Sequence, residues 1–335
     1  MEKQNSTLMD VATRAGVSRT AVSFVVKGNP GIPEETKTRV MAAISELGYQ
    51  PHLAAQKLLA QRSGFIGFLD DEIAITPYAG RIFEGAQDAA WKQGKILLPA
   101  TTKNDPGKQA AALDMMMDRQ VEGIIYASMY HRQVTPPDVL WEMRSVLLDC
   151  FVADRSLPSV VPDEVGGGFK ATSVLLDKGH KRVGFLNNRD NIPATTARLQ
   201  GYLSALTAHG IPFDLALVAS DNSDSDGGYR AARAVMQLPN PPTALFCFND
   251  RMAMGAYYAL RDLNLSVPKD VAVMGFDNQE MIAAHLNPLL STIELPHYEM
   301  GQWAINYLLE HIDQDSNLNP VQHAIECPYI ERSSI

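Results

Sequence analysis

Short apolar runs alternate with amphipathic helical stretches over most of this 335-residue chain, and that alternation is the strongest constraint on its fold. From Gly64 onward each apolar run has the length of a strand and is followed by apolar side chains at helical spacing. Strands that alternate with helices form parallel sheets with helices on their faces. Seven runs fit this pattern: residues 65–69, 96–98, 123–126, 146–148, 183–186, 244–247 and 271–274.

The predicted strands divide into two similar halves, and the break falls near residues 162–168. Pro162 and three consecutive glycines interrupt the alternation there. The fold class is therefore predicted to be α/β, with two doubly wound parallel-sheet lobes in the larger part of the chain. Ligands of such sheets bind at the carboxyl ends of the strands, so we expect a binding cleft where the lobes face each other.

The first 50 residues follow a different, all-helical pattern. Ser6 or Thr7 can cap a first helix, in which apolar residues recur at helical spacing. Gly16 permits a tight turn, and Ser18 caps a second helix. A helix, a short glycine turn and a capped helix form the helix-turn-helix pattern of DNA-binding domains.

Two more helical segments are predicted before the strands begin. Pro33 opens a third helix, which Gly48 ends, and this helix completes a small head of residues 1–50. Residues 51–63 then form a linker with a helical run of two to three turns. Helices shorter than about 12 residues are marginal in water, so we expect this hinge to be ordered only when another surface packs against it.

The charge of the chain differs between its two parts. The net charge is −9, but residues 1–62 hold eight Lys and Arg against five Asp and Glu, a net of +3. The remaining residues carry 21 basic and 33 acidic side chains, a net of −12. DNA phosphate attracts the first part and repels the second, so only the head is expected to approach nucleic acid.

Other features narrow the class of protein. No apolar run approaches the roughly 18 residues that a membrane span needs, and residues 1–16 lack the apolar core of a signal peptide, so a cytoplasmic protein is expected. Cys150, Cys247 and Cys327 are far apart and outside any CxxC spacing, which predicts buried free thiols. The histidines form no metal-ligand pattern, and neither a metal nor another cofactor is expected.

Several sequence blocks, in the same order, resemble the LacI/GalR family of lac and galactose repressors. The head segment begins with LMDVA at residue 8 and continues through AGVS to VS at residue 23, and LGYQP leads into the hinge. Matching blocks in the body are residues 179–183, 249–255, 268–277 and 299–301. The ordered set covers essentially the whole chain. Residues 146–164 and 291–297 are most similar to a subgroup that includes sucrose-type repressors.

The resemblance implies a DNA-binding transcriptional regulator, not an enzyme, whose body of residues 64–335 has lobes like those of periplasmic binding proteins. We assign the first lobe to residues 64–164 and 297–322, and the second to residues 165–296 and 323–335. A homodimer on a pseudo-palindromic operator is expected. A small molecule in the cleft is expected to change operator affinity, as an inducer or as a corepressor.

The resemblance also assigns residues of the second helix to the DNA interface. Arg19, Thr20 and Phe24 occupy base-reading positions, where Arg19 can bond a guanine edge. Ser18 and Ser23 are expected to bond phosphate, which positions the helix without reading sequence.

In the hinge, the resemblance places Ala55 and Leu58 at the minor groove. Leu58 is expected to act as an apolar wedge that kinks the duplex. The alternative is that Leu58 is buried against the body. Because the hinge is marginally stable, an effector that separates the two hinges of a dimer is expected to weaken DNA binding.

Five residues are assigned by the resemblance to the effector: Tyr78, Asp149, Arg198, Asn249 and Asp277. Carboxylates, an amide, a guanidinium and an aromatic ring suit a polyol, and a mono- or disaccharide is the expected ligand. Structural alternatives stay open. Asn249 and Asp277 follow strands and can be purely structural, Tyr78 can cover a loop, and Asp149 can pair with a surface cation.

Two other functions compete with this interpretation. Residues 166–171 fit the GxGxxG/A pattern of dinucleotide-binding enzymes, but Asp163 and Glu164 beside them repel pyrophosphate. A transport binding protein also uses two lobes around a cleft, but a helix-turn-helix head distinguishes a regulator from it. Asp250 is expected only to cap a helix.

Overall fold

The structure is a computed structural model that describes residues 7–26, 32–47, 63–73, 80–311 and 320–335. The chain divides into a helical unit at its N-terminus, the head, and a larger α/β unit, the body, which starts at Phe65. Within the described ranges, every helix is too short or too polar to cross a lipid bilayer.

The head contains three described helices, α1 (Leu8–Ala15), α2 (Arg19–Val26) and α3 (Glu34–Leu47). Thr7 caps α1: its Oγ1 accepts a hydrogen bond from the Asp10 amide, and the Asp10 carboxylate accepts one from the Thr7 amide at 2.7 Å. Gly16 ends α1 at a φ of 63°, a conformation that favours glycine. Ser18 Oγ accepts a hydrogen bond from the Ala21 amide at 3.1 Å, as expected of a cap.

These helices enclose a small apolar core, and the helix-turn-helix prediction is confirmed. Its buried members are Val11, Ala12, Ala15, Val22, Val40 and Ala43. The predicted end of the third helix at Gly48 lies outside the described residues. The predicted hinge helix, with Ala55 and Leu58, lies outside them as well.

In the described part of the first lobe, six parallel strands form one sheet. They are β1 (Phe65–Asp70), β2 (Ile96–Thr101), β3 (Ile124–Gln133), β4 (Ser145–Phe151), β5 (Ser159–Pro162) and β11 (Gln322–Ile325), in the order β11-β5-β4-β3-β1-β2. The helices of this lobe are α4 (Gly80–Lys92), α5 (Pro106–Asp118), α6 (Val139–Glu142) and α12 (His297–Glu310). α12 packs against α4 and β4, so the chain returns to the first lobe after completing most of the second.

The second lobe has a sheet of similar design. Its strands are β6 (Val183–Asn188), β7 (Val218–Asp221), β8 (Ala244–Cys247), β9 (Ala272–Asp277), β10 (Ser291–Glu294) and β12 (Tyr329–Ile330), in the order β12-β10-β9-β8-β6-β7. Only β12, among these strands, is antiparallel to its neighbour. The helices are α7 (Glu164–Asp177), α8 (Pro193–Ala208), α9 (Ser225–Met236), α10 (Asp250–Asp262) and α11 (Glu280–Ala283), with a 3₁₀ turn at Leu215–Leu217.

All seven predicted strands are present, which confirms the α/β class. The pattern missed β5, β7, β10, β11 and β12, which have two to four residues each and lie at or next to sheet edges. β11 corrects the lobe assignment, which ended the first lobe at residue 322. Residues 323–325 pair with β5 in the first lobe, so the chain passes into the second lobe for the last time after Ile325. Cys150, Cys247 and Cys327 are buried free thiols, as predicted.

The triple glycine lies inside α7 and not in a loop. Asp163 caps this helix, and its carboxylate accepts a hydrogen bond from the Gly166 amide at 2.8 Å. The glycines allow α7 and α8 to approach closely: a Cβ on Gly168 would meet the Arg198 backbone, and a Cβ on Gly201 would meet the backbone of α7. The run of glycines therefore makes a helix–helix contact instead of the phosphate loop of a dinucleotide site.

Candidate functional site

A cavity of about 280 Å³ lies in the body between the two lobes, at the carboxyl ends of their strands. We call it the cleft. From the first lobe it is lined by Met129, Tyr130, His131, Asp149, Pro162 and His297. From the second lobe it is lined by Glu164, Asn188, Asp190, Ile192, Ala194, Arg198, Ser223, Phe248, Asn249, Arg251, Asp277 and Leu295.

The structure brings together four of the five residues predicted for the effector. Asp149, Arg198, Asn249 and Asp277 all line the cleft. Tyr78 lies outside the described residues. Three of the four stand at or just after the carboxyl end of β4, β8 or β9, where a parallel sheet of this type binds its ligand.

Arg198 is the centre of a buried charge network on the second-lobe side. Its Nε and Nη2 donate to the two oxygens of Glu164 at 2.6 and 3.2 Å. Its Nη1 donates to Asp277 Oδ1 at 3.3 Å and to the Phe248 carbonyl. The guanidinium also lies over the ring of Phe276, 3.6 Å from its centroid. The planar group is thus held in one orientation by charge, hydrogen bonds and stacking together.

Glu164 is a site residue that the sequence interpretation missed. It is 4% exposed and follows the capping residue of α7. The sequence alone indicates only that Glu164 is a negative charge beside the glycines. Its pairing with Arg198, 34 positions later, arises from the contact between α7 and α8, and spacing along the chain does not indicate it.

Asn249 and Asp277 both have structural partners within the protein. Asn249 Oδ1 accepts a hydrogen bond from the Met252 amide at 2.9 Å and caps α10, while its Nδ2 donates to the Ser223 carbonyl at 3.1 Å. Asp277 Oδ2 accepts a hydrogen bond from Gln279 Nε2 at 2.9 Å. Burial raises the pKa of Asp277, although the charge of Arg198 opposes the shift.

The prediction that Asp250 caps a helix is wrong, because Asn249 holds that position. Asp250 is the first residue of α10 and is completely buried. Its carboxylate accepts hydrogen bonds from the Gln279 amide at 2.6 Å and from Thr292 Oγ1 at 2.7 Å. It therefore ties α10 to the ends of the neighbouring strands without lining the cleft.

Asp149 differs from these residues because one of its oxygens has no partner. It is 2% exposed, and its Oδ1 makes no hydrogen bond to any described residue. Burial, together with the negative charges of Glu164 and Asp71, raises the pKa of Asp149 well above its usual range. Its φ of 56° is unusual for a residue other than glycine. The alternative that Asp149 pairs with a surface cation is wrong, since the side chain is buried.

His131 and Arg251 complete the group of unpaired polar atoms in the cleft. Among the described residues, His131 Nδ1 and Arg251 Nε have no hydrogen-bond partner. Burial lowers the pKa of His131, so the imidazole is neutral near pH 7. Buried polar groups are normally paired, so unpaired donors and acceptors that line one cavity point to a ligand with complementary groups.

The predicted DNA-contacting residues lie on α2 in the head. Arg19, Thr20 and Phe24 are exposed, and 40% of Phe24 is accessible to solvent. Ser18 is exposed and accepts the capping bond described above, which leaves its hydroxyl proton available to a phosphate. Ser23 is half-buried. Val22, on the opposite side of the helix, is in the core of the head.

No group of three His, Cys, Asp or Glu side chains within the described ranges is arranged to hold a metal ion.

Comparison with known proteins gives matches over the whole chain. The family described as bacterial regulatory proteins, lacI family, matches residues 7–52, and the periplasmic binding protein-like domain matches residues 172–335. The transcriptional regulator RegA of Clostridium saccharobutylicum is 33% identical over 98% of this chain and 99% of its own length. The transcriptional repressor PurR of Pectobacterium atrosepticum is 32% identical over 98% of this chain and 97% of its own.

Among solved structures, the transcriptional regulator CelR in complex with cellobiose superimposes with a TM-score of 0.66 at 27% identity. The match covers 98% of this chain and 100% of that chain. The similarity of residues 146–164 and 291–297 to sucrose-type repressors is not tested by these relatives and stays a prediction.

Proposed function

The chain belongs to the LacI family of bacterial regulatory proteins and is a DNA-binding transcriptional repressor with an effector domain, and from that premise we propose that its effector is an uncharged or cationic polyol of sugar size. The unpaired Oδ1 of Asp149 carries this proposal. A hydroxyl or ammonium group of the ligand can donate to it, which removes the cost of a buried unpaired acceptor. Arg251 Nε can in turn donate to a ligand oxygen.

The charge of the cleft supports the same class of ligand. Its lining includes the carboxyl groups of Glu164, Asp190 and Asp277 and the guanidinium groups of Arg198 and Arg251, so the lining is net negative even when Asp149, with its raised pKa, holds a proton. Both oxygens of Glu164 are bonded to Arg198, so that guanidinium is already partly neutralised. A phosphorylated or carboxylated sugar meets a net negative lining, whereas a neutral polyol does not.

On the DNA side, we propose that the protein binds a pseudo-palindromic operator as a homodimer in the cytoplasm. α2 enters the major groove, Arg19, Thr20 and Phe24 contact base edges, and Ser18 and Ser23 contact phosphate. Ala55 and Leu58 of the hinge contact the minor groove. We propose that the lobes adopt two arrangements, one that favours operator binding and one that does not. An effector that binds one arrangement more tightly than the other changes the operator affinity by that difference in binding free energy.

Thermal unfolding of the full chain with a panel of related ligands tests the effector proposal. Glucose, galactose, fructose and ribose are compared at pH 7 with glucose 6-phosphate, glucuronate and glucosamine, and with the purine bases adenine and guanine. A binding sugar at 100 times its Kd stabilises the folded protein by about 2.7 kcal/mol, and its phosphorylated or carboxylated form is expected to give no shift. A panel in which only the anionic sugars, or only purine bases, raise the melting temperature contradicts the proposal.

A further inference from the structure

A second cavity, of about 440 Å³, borders the cleft, and we call it the outer cavity. Tyr130 from the first lobe and Ile192 from the second line both cavities. The cleft alone is close to the lower end of the range of about 300–1,000 Å³ that ligand pockets span. A ligand longer than one ring in the cleft can therefore extend into the outer cavity, past these two side chains.

The side chains of the outer cavity suit an uncharged, hydroxylated ring. Gln133, Asn191 and Thr196 supply amide and hydroxyl groups, which both donate and accept hydrogen bonds. Tyr130 and Phe151 supply aromatic rings. The described residues that line this cavity include no carboxylate, in contrast to those of the cleft.

The first-lobe wall of the outer cavity is fixed by buried hydrogen bonds. The Asp71 carboxylate accepts hydrogen bonds from the Met129 amide at 2.9 Å, from Ser128 Oγ at 2.9 Å and from Arg132 Nη2 at 2.6 Å. Arg132 is the charged residue that lines this cavity, and the ion pair neutralises it. Its guanidinium also lies 5.2 Å from the centre of the Tyr130 ring. The segment that carries Tyr130 is thus held in place before any ligand binds.

We propose that the outer cavity is a second subsite, which takes the second ring of a two-ring neutral ligand such as a disaccharide, while the first ring occupies the cleft. This inference rests on the proposed function of the cleft. Residues of the second subsite come from both lobes, with Gln133 and Phe151 on one side and Asn191 and Thr196 on the other. A two-ring ligand therefore bridges the lobes at two points, whereas a monosaccharide bridges them only in the cleft.

A pair of matched substitutions on α8 tests the subsite. Thr196 and Thr207 are both exposed threonines of this helix, but only Thr196 lines the outer cavity. Thr196→Tyr fills the outer cavity, and Thr207→Tyr makes the same change on the same helix outside both cavities. Calorimetric titration of the full chain uses cellobiose, maltose, sucrose and lactose, each compared with glucose, fructose and galactose.

We expect the best disaccharide to bind at least about tenfold more tightly than its constituent monosaccharides, and Thr196→Tyr to remove that advantage. Thr196→Tyr is expected to leave monosaccharide binding unchanged, and Thr207→Tyr to leave both unchanged. Gln133→Ala, which removes an exposed amide without adding bulk, is expected to weaken disaccharide binding by a smaller factor.

Equal affinities for mono- and disaccharides, with no effect of Thr196→Tyr, overturn the second subsite and leave the cleft proposal standing. If no sugar of either size binds to the wild-type chain, the proposed function of the cleft fails, and the second subsite fails with it.

Discussion

The two walls of the cleft differ in how their polar groups are paired before a ligand binds. On the second-lobe wall Arg198, Asn249 and Asp277 each make at least two hydrogen bonds or ion-pair contacts within the protein. On the first-lobe wall Asp149 Oδ1 and His131 Nδ1 have no partner among the described residues. Apart from Arg251 Nε, which also has no partner among the described residues, the second-lobe wall is thus already bonded, and we call it the bonded wall. The first-lobe wall has open hydrogen-bonding positions, and we call it the open wall.

The difference has an energetic meaning. A buried polar atom without a partner costs about 1–3 kcal/mol, and a residue in a sparsely populated backbone conformation costs a similar amount. Asp149 shows both features, since its Oδ1 is unpaired and its φ is 56°. Both features of Asp149 therefore lower the free energy of unfolding of the unliganded protein. A ligand that bonds Asp149 recovers part of that free energy, which adds to its affinity.

The largest expected effect is that of Arg198→Ala on the bonded wall. Loss of the guanidinium leaves Glu164 and Asp277 buried without their counter-charge, and breaking a buried ion pair in this way destabilises a protein by about 3–5 kcal/mol. Urea unfolding at pH 7 measures the loss. At lower pH the loss is expected to shrink, because Asp277, whose pKa is raised by burial, can then take up a proton.

Arg230→Ala is the matched control for Arg198→Ala. Arg230 also makes two hydrogen bonds to one carboxylate, to Asp221 at 2.9 and 2.7 Å, but the pair is exposed on the same lobe. Its removal is expected to change the free energy of unfolding far less. Equal losses in the two variants would contradict the view that burial of the Arg198 network determines its contribution.

Asp149→Asn and Asp250→Asn are expected to change stability in opposite directions. Burial raises the pKa of both aspartates. A folded pKa above the unfolded one means that the stabilisation by the bound proton is complete below about pH 4 and is lost as pH rises through the folded pKa. Asparagine carries no charge at any pH. Asp149→Asn is therefore expected to raise the melting temperature by an amount that grows as pH rises from 5 toward the folded pKa of Asp149, and to weaken effector binding.

Asp250 has two donors facing its carboxylate, and this reverses the expected sign. An amide in its place can accept from the Gln279 amide, but its N–H groups then face Thr292 Oγ1, which has to accept a hydrogen bond instead of donating the one that it makes to the carboxylate. We expect Asp250→Asn to destabilise the protein by about 1–3 kcal/mol. Melting curves over the same pH range decide the matter. If both variants shift the melting temperature in the same direction, the hydrogen-bond partners of the two carboxylates do not determine the sign of the change.

The family resemblance predicts residues of both walls: Arg198, Asn249 and Asp277 of the bonded wall and Asp149 of the open one. It misses Glu164 and His131. His131 lies well beyond the predicted strand at 123–126. The register between β3 and β4 shifts between Ala127 and Arg132, and this irregularity continues β3 as far as Gln133. A bulge of this kind depends on the neighbouring strand, so no local pattern in the sequence indicates it.

The short edge strands cannot be predicted from the sequence for a related reason. β11, with four residues, is half-buried or exposed and pairs with β5 from far along the chain. Such a strand has no run of apolar residues, and its existence depends on a partner more than 150 positions away. The lobe boundary at Ile325 was therefore misplaced, whereas the buried central strands were all predicted.

The smallest expected effect is that of Asn249→Ala, which tests whether Asn249 only caps a helix or also contacts the effector. Asn249 caps α10, and Asp224 caps α9 in the same lobe in the same way, since each side chain accepts a hydrogen bond from the amide three residues later. Loss of such a cap destabilises a protein by about 1 kcal/mol, so both Asn249→Ala and Asp224→Ala are expected to lower the free energy of unfolding. Asn249→Ala is expected to lower it further, because it also removes the hydrogen bond from this buried side chain to the Ser223 carbonyl. Only Asn249 lines the cleft, and only its substitution is expected to weaken effector binding. Urea unfolding and calorimetric titration of the two variants measure the two quantities separately. If Asp224→Ala weakens effector binding as much as Asn249→Ala does, then Asn249 acts on the ligand only through the stability of its helix, and the bonded wall makes no direct contact at this position.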